Sequence, residues 1–102
     1  MAISDVRFKD SSYYVYDIFG KKISDAYKSD KGDFMGYSAD TMLFKKNGSF
    51  YTYDEFFRKI AEDYASSLGD FKGMGGSSIN FIKGNTIHCY DRYLKKISES
   101  YI

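Results

Sequence analysis

One phrase is written three times in this chain: YYVYDIFGKKI at residues 13–23, FYTYDEFFRKI at 50–60 and IHCYDRYLKKI at 87–97. Tyr16, Tyr53 and Tyr90 stand 37 residues apart, each followed by an aspartate (Asp17, Asp54, Asp91), with Lys22, Lys59 and Lys96 and then Ile23, Ile60 and Ile97 in the same frame. Residues 26–62 and 63–99 share 13 identities in 37, Gly32/Gly69, Phe34/Phe71 and Phe44/Phe81 among them. Chance supplies roughly two or three at such compositions. A chain of 102 residues has room for one core. The repeat therefore predicts a single domain, 1–102, assembled from similar units: a partial first unit at 1–25, which aligns with 38–62 and lacks the GDFMG segment, then 26–62 and 63–99.

Each unit carries the same local signals. KDSS (9–12), KNGS (46–49) and KGNT (83–86) separate two apolar-rich runs at one repeat position. Asn47-Gly48 suits a type I′ turn and Gly84-Asn85 a II′ turn, with Asp10-Ser11 a weaker version. Hairpin arms follow at 5–9, 42–46 and 79–83 on one side, and 12–16, 49–53 and 86–90 on the other. Alternation along the second arm puts Tyr14/Tyr16, Tyr51/Tyr53 and His88/Tyr90 on one face and Tyr13/Val15, Phe50/Thr52 and Ile87/Cys89 on the opposite one. Both faces are bulky, which fits a sheet covered on both sides. GDFMGYS and GDFKGMG read as a further strand entered through a glycine turn.

The segment after Tyr-Asp supports two readings. DEFFRKIAEDYASSLG (54–69) has an Asp N-cap, a stripe of Phe57, Ile60/Ala61, Tyr64 and Leu68, and Gly69 as terminator, all helical signals. YDIFGKKIS in the first unit, with Gly20 at the Phe57 position, reads as strand, Asp-initiated turn, strand. The fold expected is all-β, three antiparallel units of trefoil-like or propeller-blade-like form; the alternative is α+β with ββα units.

The unit, with Gly48-Ser49-Phe50, Tyr53-Asp54 and Arg58-Lys59-Ile60 and their counterparts 37 positions away, resembles tandem repeats of small, largely uncharacterised bacterial proteins. Those units carry a Gly-Ser-aromatic hairpin, then Tyr-Asp and Lys-Lys-Ile. The resemblance spans nearly the whole chain and implies blade-like or trefoil-like architecture, with no site attached. This chain departs from it in lacking tryptophan at the hairpin aromatic and in placing Phe57 and Leu94 where a turn residue belongs. Closure needs either compact trefoil-like packing or association of chains into a larger ring, which would hide otherwise open strand edges.

Composition narrows the chemistry. Fifteen Lys and Arg against fourteen Asp and Glu give a net charge of +1, so no global field draws in nucleic acid or anionic membrane. One cysteine and one histidine exclude an intramolecular disulfide and a His/Cys zinc cage within one chain. The N-terminal MAISDVRFKD lacks a signal-peptide pattern, no apolar run is long enough to cross a bilayer as a helix, and the expected location is cytoplasmic.

His88 and Cys89 adjoin, yet neighbouring strand residues point to opposite faces, and a thiolate nucleophile needs its base within hydrogen-bond reach. KGMGGSS (72–78) does not match a phosphate-binding loop and reads as a tight turn. Asp17, Asp54 and Asp91 read as turn residues whose side chains accept backbone N–H bonds, in preference to a metal set. Neither a catalytic residue nor a cofactor or metal is expected. Three equivalent units point to a non-enzymatic binding or assembly module that self-associates or engages a protein or carbohydrate partner. Its candidate surface comprises Phe50, Tyr51, Tyr16, Tyr53, Tyr90, Lys22, Lys59 and Lys96. The alternative is a binder of single-stranded nucleic acid or another polyanion along the repeated Tyr/Lys stripe.

Overall fold

The computed structural model describes residues 2–76 and 78–102. The first unit contributes β1 (Asp5–Lys9), β2 (Ser12–Tyr16) and β3 (Lys22–Tyr27), paired in that order as an antiparallel sheet. A single helical turn, α1 (Lys28–Lys31), leads into a second sheet of β4 (Asp33–Tyr37), β5 (Met42–Lys46), β6 (Ser49–Tyr53) and β7 (Lys59–Tyr64). A second turn, α2 (Ala65–Leu68), leads into β8 (Asp70–Gly75), β9 (Ser78–Lys83), β10 (Thr86–Tyr90) and β11 (Lys96–Tyr101), the third sheet. The chain is all-β, and equivalent strands begin 37 residues apart, as at Ser12, Ser49 and Thr86.

The hairpin turns follow the chemistry of their central residues. Asn47 (φ 53°) and Gly48 (φ 78°) are both left-handed, as a type I′ turn requires, and so are Asp10 (φ 52°) and Ser11 (φ 65°). In the third hairpin Gly84 carries the positive φ of 63°. Of the glycine-rich stretch at 72–78, β8 takes residues through Gly75 and Gly76 turns with φ 57°, while Ser77 lies outside the described residues.

The helical alternative for 54–69 gives way to strand. Asp54 opens a turn, β7 takes Lys59–Tyr64, and only Ala65–Leu68 is helical. The reason is tertiary. Phe57 (φ 61°) and Leu94 (φ 58°) adopt the left-handed backbone that Gly20 (φ 76°) adopts freely. Such a conformation is strained for a bulky residue. Leu94 is 8% exposed within the core, and Phe57 packs against the equivalent core one unit earlier, so burial offsets the strain. A turn residue and a core residue occupy the same position.

The sheets pack face to face over two cores. Tyr13 and Val15 of the first sheet meet Met42, Phe44 and Tyr53 of the second, with Ile3 beside them. Leu43 and Phe50 of the second meet Ile79, Phe81 and Leu94 of the third, with Leu68 of α2. Successive residues of β5 thus enter opposite cores, the direct result of the strand pleat. Burying one such side chain fully contributes about 1.5–3 kcal/mol. Phe44 is the hub of the first core: the rings of Tyr13, Phe34, Tyr53 and Phe57 lie 5.1–5.9 Å from it, in edge or tilted contact. Gly32 (φ 88°) and Gly69 (φ 99°) stop the two helical turns where the next sheet is close. A Cβ there would sit 2.5 Å from the carbonyl oxygen of Lys45 or of Ile82.

Candidate functional site

Two of the eight residues expected to form a surface are interior. Phe50 is 1% exposed and Tyr53 7%, because the second sheet is covered on both faces by its neighbours. Tyr51, Tyr16 and Tyr90 are half-buried. Tyr51 and Tyr53 stack 6.4 Å apart, and His88 and Tyr90 repeat that arrangement at 6.5 Å. These positions form a packed row of rings. His88 takes part in the row, and its neighbour Cys89 in β10 is half-buried on the opposite face of the strand.

The three lysines of the stripe lie at the surface, each tied to an acid three residues on: Lys22 to Asp25 at 2.8 Å, Lys59 to Glu62 at 2.5 Å and Lys96 to Glu99 at 2.7 Å. Hydrogen bonding to Asp25, Glu62 and Glu99 raises the three ammonium pKa values, and Lys96 in turn lowers that of Glu99. The stripe is a row of neutralised pairs.

Rings more open to solvent than these stand elsewhere. Each Tyr-Asp pair opens a turn in which the aspartate Oδ1 accepts two backbone N–H groups, two and four residues on: Phe19 and Lys21 at Asp17, Phe56 and Arg58 at Asp54, Tyr93 and Lys95 at Asp91, all at 2.9–3.0 Å. The backbone closes on itself as well, with Asp17, Asp54 and Asp91 N–H donating to the carbonyls of Lys21, Arg58 and Lys95. This lock lifts the aromatic residue two places after the aspartate into solvent. Phe19 is 89% exposed, Phe56 47% and Tyr93 57%. A second exposed set, Tyr27, Tyr64 and Tyr101, recurs at the ends of β3, β7 and β11. The repeat spacing marks both sets in the sequence. They escape a reading based on the hairpins because exposure depends on which faces the neighbouring sheets cover.

At Asp54 the turn perturbs the carboxyl. Burial works against ionisation but is outweighed by N–H bonds from Arg58 and Phe56 and by the Arg58 guanidinium at 2.8 Å, so its pKa lies below the ordinary value. The aspartates serve their turns separately, and among the described residues no three His, Cys, Asp or Glu side chains gather as a metal site. Nor is any helix among the described residues long and apolar enough to cross a membrane.

No protein-family model matches the chain, and no curated protein matches it significantly.

Proposed function

We propose that the chain is a non-enzymatic binding or assembly module, built from blade-like β units of the tandem-repeat type, that engages a protein or carbohydrate partner or a second copy of itself. One observation carries the reading: an aromatic ring recurs at the same place in three Asp-locked turns and is left open to water each time, at Phe19, Phe56 and Tyr93. A single exposed ring needs no explanation, but a repeated set on rigid turns is a multivalent surface. Fixed turns also lower the ordering cost of binding. The module belongs in the cytoplasm, where the Cys89 thiol stays reduced.

The test is a triple variant, Phe19→Ser with Phe56→Ser and Tyr93→Ser, compared with the parent chain. Solution mass by light scattering over a range of concentrations reports self-association. Retention on immobilised neutral polysaccharide, and on protein from a lysate, reports a heterologous partner. The proposal expects the variant to keep its fold and lose the association or retention the parent shows. Identical behaviour in every assay would remove these turns as the working surface.

A further inference from the structure

The two junctions between consecutive sheets differ at one place. At the first, Ile3 is 6% exposed in the core, and Tyr37 reaches across so that its hydroxyl donates to the Ser4 carbonyl at 3.0 Å. One repeat interval later those two positions hold Asp40 and Met74, and Arg92 stands at the position of Glu55. The second junction consequently opens into a cleft of about 210 Å³. Met74 and the buried Ile79 supply its apolar lining and Tyr93 an aromatic wall, and Asp40, Asp91 and Arg92 are its charged groups. Sites for drug-sized ligands occupy roughly 300–1,000 Å³, so this cleft takes something smaller, on the scale of a single sugar ring.

The polar groups are only partly used by the protein. Arg92 Nη2 donates to the Asp40 carbonyl at 3.0 Å and Nη1 lies 3.5 Å from Asp40 Oδ2, whose partner Oδ1 accepts from the Thr41 hydroxyl at 3.0 Å, while Arg92 Nε is buried without a partner among the described residues. Nε exposes no surface to the cleft, so the N–H groups of Nη1 and Nη2 not spent on Asp40 are the donors left for a ligand. Asp91 holds its turn through Oδ1. Its second oxygen lacks the arginine that caps Asp54, because Lys95 replaces Arg58.

We propose that this cleft binds one neutral sugar residue. Two carboxylates beside one guanidinium leave the site net negative, which disfavours an anion. They also offer acceptors for hydroxyl groups and a donor for a hydroxyl or ring oxygen. The Tyr93 ring provides a flat surface for the C–H face of a pyranose. The proposal rests on the chain being a binding module and assigns carbohydrate as the partner class.

The experiment is an amide NMR titration of the 102-residue chain. The probes are the methyl pyranosides of glucose, galactose and mannose and N-acetylglucosamine, with glucuronic acid and methylguanidine as charged comparisons. Saturable shifts centred on Asp40, Met74, Arg92 and Tyr93 with at least one neutral sugar are expected. Asp40→Ile, which restores the residue type that fills the first junction, should weaken binding by at least about tenfold. Tyr93→Ala should do the same, so the conclusion does not depend on one variant folding. Ile18→Ala, at an exposed side chain outside both the cleft and the ring set, should leave the sugar titration unchanged. The proposal is overturned if no neutral sugar gives saturable shifts, if either charged probe binds more tightly, or if Asp40→Ile binds as the parent does. A failed titration beside persistent association through Phe19 and Phe56 would sink the cleft and leave the module standing. Sugar binding in a chain whose Phe19 and Phe56 turns prove inert would keep the cleft, with Tyr93 in it, and remove the three-turn surface.

Discussion

At the scale of single residues, ring position decides consequence. Phe44→Ala removes the hub of four aromatic contacts at a fully buried site. It should cost about 3–5 kcal/mol in urea unfolding, the range for aromatic truncation in a core. Phe19→Ala, at the most exposed ring, should stay within about 0.5 kcal/mol of the parent in the same measurement. Glycines divide in the same way. At Gly69 the left-handed backbone and a Cβ 2.5 Å from the Ile82 carbonyl oxygen act together, so Gly69→Ala should cost more than about 2 kcal/mol. Gly20 has open space around it and a backbone that Phe57 and Leu94 also adopt, so Gly20→Asn should cost about 1 kcal/mol or less. Asp54 adds a pH dependence of defined sign. Its folded pKa is depressed, so its contribution is complete above the unfolded value and is lost as pH falls through the folded one. The acid limb of stability against pH should therefore be shallower in Asp54→Asn than in the parent.

At the scale of elements, the outer strands β3, β7 and β11 carry the lysines that made a polyanion surface plausible, and each lysine already has its counter-ion. Exposed pairs of this kind add little to stability, because solvent screens them. Lys22→Glu with Lys59→Glu should barely change stability, and the parent should elute from immobilised single-stranded DNA at low salt. Tight retention that falls steeply with added salt would restore the polyanion reading. Individual hydrogen bonds also tie one sheet to the next: Ser24 Oγ donates to the Glu55 carbonyl, and Thr52 Oγ1, fully buried, donates to that of Arg92 at 2.8 Å. The shape-preserving change Thr52→Val should cost about 1 kcal/mol by leaving that carbonyl short of a partner.

At the scale of the molecule, β5 couples the two cores, since Met42 and Phe44 enter one and Leu43 the other. Loss of packing on either side withdraws support from the strand they share. The parent should unfold in one cooperative transition, with far-ultraviolet circular dichroism and tyrosine fluorescence coincident. In Leu43→Ala the two signals should separate as the third sheet loosens first. Two coincident transitions in that variant would show that the sheets do not melt in sequence.

The division between sequence and structure follows from the range of the forces. Hairpin arms, turn types and the face each side chain takes were legible in KNGS and FYTY, because they depend on backbone sterics and the two-residue pleat. The fate of 54–69 was not, because Phe57 and Leu94 accept a turn conformation only when a neighbouring sheet buries them. The pleat separated Tyr51 and Tyr53 from Phe50 and Thr52, and the bulk on both sides already fitted a sheet covered twice, but only the stacking of three sheets decided that Phe50 and Tyr53 would be interior and that Phe19, Phe56 and Tyr93 would remain in water. A periodic sequence determines equivalent units. Which equivalent positions meet a neighbour, and where Asp40 leaves a cleft that Ile3 fills, is settled by packing between units, a term that no single unit contains.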